Sequence, residues 1–83
     1  MNGEQFLESV KKSLNITGDY QNETLLGYIS ETVAFLVDSG VKSKNITPGI
    51  VSRGVSDLWN YGASDGKLSD YFKMRASQLA YKT

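Results

Sequence analysis

Between Asp19 and Gly40 the apolar residues Leu25, Leu26, Ile29, Val33, Leu36 and Val37 cluster at steps of three and four. A strand would alternate at every second residue, whereas this spacing lines one face of an α-helix with 3.6 residues per turn. Asp19 or Asn22 stands where a side chain caps a first turn, and Gly40 stands where a left-handed residue ends a last one. A helix with such a stripe needs neighbours to cover it.

The rest of the chain supplies them. Phe6, Leu7, Val10 and Leu14 repeat the same spacing in a first helix, which Asn15, Gly18 and Asp19 break. After the polar stretch Lys42-Ser43-Lys44-Asn45, Thr47-Pro48 marks a third helix, because proline fits the first helical position where its missing N–H is not needed. Ile50, Val51, Val55, Leu58 and Tyr61 form its apolar side, and Gly62 its expected end. Ser64-Asp65-Gly66-Lys67 reads as a turn, and Ser69 as the cap of a fourth helix carrying Phe72, Ala76 and Leu79. The expected fold is all-α, a small bundle of three principal helices plus a short fourth, forming a single domain over residues 1–83.

Composition narrows the function. The chain has no Cys and no His, so disulfides, thiol chemistry, the commonest zinc ligands and the commonest general base are missing. A protein that is not an enzyme, with no cofactor and no metal, is expected. The longest apolar run covers residues 33–37, far below the ~20 residues of a membrane span, and neither a membrane nor a secretory leader is expected. Nine Lys and Arg balance nine Asp and Glu, which removes any general pull on nucleic acid. At 83 residues a core without staples contributes only about 3–5 kcal/mol, which favours assembly with other subunits.

Five residues stand out as candidates for a subunit interface. Tyr28 and Phe35, seven positions apart, lie off the main stripe of the second helix and form a second aromatic stripe. They are either covered within the chain, by the first or fourth helix, or free to meet another subunit. On the second reading, Phe35→Asp prevents assembly and leaves the fold intact. Trp59 lies at the edge of the third helix's apolar face, beside Tyr61, where it either caps the core or anchors an interface. Arg75 falls between Tyr71 and Leu79 in helical projection, with Asp57 and Asp70 as candidate partners. Gly54, in the middle of the third helix, costs about 1 kcal/mol relative to Ala and points to close approach by a neighbouring helix.

A nucleic-acid reading rests on Lys42, Lys44, Arg53 and Lys67, around the ends of the third helix. As a recognition helix, Ile50, Val51, Arg53, Ser56 and Asn60 offer a single cation, and Asp57 opposes phosphates.

The stretch from Asp19 through Leu25, Leu26, Ile29 and Val33 to Val37, stopping at Asp38-Ser39-Gly40-Val41, resembles the second helix of the small head-tail connector proteins of tailed double-stranded DNA bacteriophages and prophages. The later segment, Ile50 to Trp59-Asn60-Tyr61, a Gly/Ser/Asp loop, Leu68-Ser69-Asp70-Tyr71-Phe72 and Arg75-Ala76-Ser77-Gln78-Leu79, is similar to the way that family closes. The likeness covers residues 19–79. It implies a structural adaptor that assembles as a homo-oligomeric ring under the portal protein, extends the DNA channel, and joins capsid to tail through tail-side completion proteins. Double-stranded DNA is then passing cargo, and the protein belongs to the bacterial host cytoplasm during assembly and to the virion head-tail junction afterwards. The alternative is a small helix-turn-helix DNA-binding regulator.

Overall fold

The computed structural model describes residues 4–61 and 68–82, with the Tyr61 side chain and the expected Gly62 stop and Ser64 to Lys67 turn outside the described positions. Four α-helices follow in order, α1 (Glu4–Leu14), α2 (Asn22–Asp38), α3 (Pro48–Tyr61) and α4 (Asp70–Ala80), and a 3-10 turn at Ser43–Asn45 precedes α3. No strand occurs among the described residues, and the fold is a small all-α bundle. The fourth helix is not shorter than the first, since each has 11 residues.

Local chemistry sets the helix ends. α1 closes with Asn15 in the left-handed region at φ 59°, and α2 with Gly40 at φ 93°. The two stops have the same bonding pattern. Ile16 N–H donates to Lys11 O and Asn15 N–H to Lys12 O, and Val41 N–H donates to Leu36 O and Gly40 N–H to Val37 O. Each stop is a Schellman motif, which satisfies the last carbonyls and turns an apolar residue back onto the core. Val41 is buried, and Ile16 packs against the core.

The start of α2 differs from expectation. Neither Asp19 nor Asn22 caps it, and Gln21 precedes the helix without a side-chain cap bond. Asp19 instead accepts from Lys11 Nζ at 3.1 Å. Asp19 is 89% exposed, so water screens the pair and its net contribution is small. The Lys11 side chain, only 9% exposed, serves mainly by covering apolar surface with its stem.

α3 is the central element and packs against α1, α2 and α4. Ile50, Val51, Ser52, Gly54, Val55, Asp57 and Leu58 are all buried, and among the described side chains past the first turn Arg53 and Asn60 are exposed. α4 contributes Phe72, Ala76 and Leu79 to the core, as their spacing predicts. On α2, the buried positions are Leu25, Ile29, Thr32 and Leu36, while Leu26 and Val33 are half-buried and Val37 is 54% exposed. The packed face is thus rotated from the expected stripe toward Thr32.

Gly54 explains the rotation. A Cβ built there would lie 2.5 Å from Thr32 Cγ2 and 2.8 Å from a ring carbon of Phe72. The α3 backbone therefore sits directly against the Thr32 methyl and the Phe72 ring, an approach that a longer side chain such as Leu at position 32 would widen and that any side chain at position 54 would block. Thr32 is fully buried and its hydroxyl has no hydrogen-bond partner.

These contacts set expected stabilities. Gly54→Ala gains helix propensity yet overpacks the crossing, and we expect a net loss of about 1–3 kcal/mol in urea unfolding. Gly27→Ala, on the exposed side of α2 with nothing within 4 Å of the new methyl, is expected to gain up to about 1 kcal/mol. Thr32→Val keeps the packing methyl and removes an unpaired buried hydroxyl, for an expected gain of about 1 kcal/mol in the same assay.

Candidate functional site

The residues singled out from sequence fall at separate places. The Tyr28 ring packs edge-on against Trp59, with centroids 6.4 Å apart and planes at 88°, joining α2 to α3. Phe35 leans on Phe72 of α4 at 5.8 Å. All three are half-buried against the core. The expected aromatic stripe on α2 is thus divided between two neighbours inside the chain: α3 covers Tyr28, and α4 covers Phe35. Because Phe35 has this partner in the core, Phe35→Asp is expected to destabilise the monomer instead of leaving it folded. The side chain of Tyr61 lies outside the described residues.

Arg75 pairs with neither Asp57 nor Asp70. Its guanidinium donates to Gln78 Oε1 at 2.6 Å, one turn along α4. Asp57 is buried at 6% exposure, so it neither faces a duplex nor reaches Arg75. Its Oδ2 accepts from the Ser69 hydroxyl at 2.5 Å and from the Ser69 N–H at 3.3 Å. The Ser69 oxygen in turn accepts from Phe72 N–H at 3.1 Å, capping α4. A carboxylate on α3 thereby orients the serine that starts α4, and a charged acceptor of this kind makes the stronger class of hydrogen bond. The cap and the Phe72 ring together fix α4 on α3.

With α4 so placed, a cleft of about 460 Å³ opens between it, the start of α3 and the 3-10 turn. Tyr71, Arg75 and Leu79 line the α4 side at four-residue steps, and Lys82 follows them. Lys44 and Arg53 face them from the other wall. The Arg53 guanidinium lies 4.6 Å from the Tyr71 ring centroid, a cation–π contact that holds it at the cleft. Asn45, buried in the floor, ties the 3-10 turn to the end of α4 by donating from Nδ2 to Lys82 O at 3.2 Å.

The electrostatics of this cleft are one-signed. Among the described residues it is lined by both arginines and two of the seven lysines of the chain, and by no carboxylate. Gly49 and Ile50 also line it, and their N–H groups precede the first intrahelical bond of α3, from Val51 N–H to Thr47 O. The positive end of the α3 dipole therefore adds to the four cations. Among the described residues, no group of three His, Cys, Asp or Glu side chains gathers to hold a metal, and no helix is long and apolar enough to cross a membrane.

Comparison of the chain with protein-family models, curated protein sequences and solved structures finds no match.

Reading for motifs passes over Lys82 and Tyr71, and it assigns Lys44, Arg53 and Arg75 to different roles. A cruder signal was present. Residues 1–41 hold six carboxylates and two lysines, net −4, and residues 42–83 hold seven cations and three carboxylates, net +4. The overall neutrality conceals a strong asymmetry between halves, itself a sign of interaction.

The Asp57 to Ser69 relay is expected to control whether α4 stays on the bundle. Ser69→Ala should lose about 1 kcal/mol for the cap, and more because Asp57 is left buried with an unmet carboxylate. Hydrogen exchange at the Phe72 amide should rise well above that in α1.

Proposed function

We propose that this chain is a structural adaptor of the bacteriophage or prophage head-tail connector kind, which assembles as a ring under the portal, extends the DNA channel and joins capsid to tail. The observation that carries this reading is the outer side of α4. Tyr71, Met74, Gln78 and Tyr81 follow one another at the i, i+3, i+7, i+10 spacing of a helix stripe. Three of the four are large apolar or aromatic residues, exposed at 49%, 52% and 86% for Tyr71, Met74 and Tyr81. The α2 C-terminus lies against the same helix, with a methyl at Gly40 placed 3.9 Å from Ala80 Cβ. A stripe of this composition on a small chain is the surface of a protein contact.

The same geometry weighs against the rival reading, a helix-turn-helix regulator. Its recognition helix would be α3, whose Ile50, Val51 and Asp57 are buried inside the bundle. A chain of zero net charge also suits a conduit through which duplex DNA must slide.

The test is mass in solution by light scattering over a wide concentration range, with and without a phage portal protein. A ring-sized species, alone or with portal, is the expected result. Met74→Asp with Tyr81→Asp, both at exposed positions, should abolish it without loss of helical circular dichroism. A monomer or dimer indifferent to portal would overturn the reading, and steep, salt-sensitive affinity for duplex DNA would replace it with the regulator.

A further inference from the structure

The cationic cleft and the bare acidic face of α2 are complementary, and we infer that the α2 face of one copy docks into the α3–α4 cleft of the next. This rests on the adaptor reading for the existence of assembly and goes beyond it in naming the two surfaces that meet.

Three observations carry the inference. α2 holds Glu23, Glu31 and Asp38 and no cation, all three exposed and none paired with a cation among the described residues. At 100° per residue they share one side of the helix with Gly27, Ser30 and Ala34, also exposed, so the carboxylates stand above small residues that let another surface come close. The cleft presents the opposite character: Lys44, Arg53, Arg75 and Lys82 around the positive end of α3, with no carboxylate among its described lining residues. Three carboxylates on the α2 face meet four cations at the cleft, so head-to-tail contact offsets most of the charge on both surfaces using nothing but further copies of the same chain.

The geometry also gives the contact a direction. Cleft and α2 face are different surfaces, so the interface is heterologous, and each added copy leaves one cleft and one α2 face open until the series closes. Tyr71 belongs both to the cleft wall and to the exposed α4 stripe, so apolar burial continues directly from the charged contact. The stripe supplies affinity, and the charges set which surface meets which and in what orientation.

Paired charge reversal tests this. Lys44→Glu, Arg53→Glu and Lys82→Glu together turn the cleft's four positive charges into a net −2, and Glu31→Lys with Asp38→Lys turns the three negative charges of the α2 face into a net +1. Each variant alone should associate at least about tenfold more weakly than the wild type in sedimentation velocity, and an equimolar mixture should regain association, because each then offers the sign the other needs. Arg75, which is half-buried, is left in place, and the three reversed cleft positions are all exposed, which limits the risk to folding. Wild-type association should also weaken at least about tenfold between about 0.05 and 0.5 M salt.

The outcomes separate the two claims. Assembly unchanged by every reversal overturns the docking and leaves the adaptor reading standing, as does a wild-type chain that is monomeric alone but forms a portal-bound ring insensitive to the reversals. A closed dimer with the expected charge dependence keeps the docking and ends the adaptor reading. Tight binding of a short duplex, lost in the triple cleft variant, assigns the cleft to phosphates and overturns the docking.

Discussion

The contact of Gly54 with Thr32 and Phe72 is the constraint on which the rest of the molecule depends. It brings α2, α3 and α4 to one point, with less than a methyl group of space between the α3 backbone and its two neighbours. Close packing of this kind tolerates little change in volume, because an interior at crystal-like density has no void to absorb an added atom. The rotation of α2, the depth of α3 and the seating of α4 follow from that one approach. The molecule is 17 Å across its shortest direction, room for two layers of helices, and α3 is buried within it against all three partners.

Placement of α4 has consequences at the surface. Its ring in the core and its cap held by Asp57 fix it from the inside, while its flank and outer side present Arg75 and Tyr71 to the cleft and Tyr71 and Met74 to the stripe. A chain with no net charge thereby becomes strongly polar in space. Surfaces of this sort favour contacts of defined orientation, since like charges exclude the wrong pairings as firmly as opposite charges favour the right one.

Much of the fold was legible. Proline at the start of α3, Ser69 at the start of α4 and Gly40 at the end of α2 all act as their local chemistry requires, and Phe72, Ala76 and Leu79 lie inside as their spacing implies. Gly54 announced a close approach because glycine in a helix needs a compensating reason. The site was less legible. Tyr28, Phe35 and Trp59 are large rings at the edge of an apolar stripe, and periodicity alone does not tell whether such an edge is covered by a neighbouring helix. Asp57 looked like a surface acid until its partner, 12 residues away, brought it inside.

The amino-acid sequence by itself determined what depends on neighbours a few residues apart: four helices, the stops of α1 and α2, the all-α class, and the absence of thiol and imidazole chemistry. Caps, glycine stops and apolar periods act over one or two turns, so they are written locally. Only the tertiary structure decided which face of α2 is packed, that Asp57 serves α4, and that Lys44, Arg53, Arg75 and Lys82 share one cleft. These depend on how helices rotate and cross. Rotation and crossing are set by the closest allowed contact between distant segments, here a glycine, a threonine methyl and a phenylalanine ring separated by as many as 40 residues of chain.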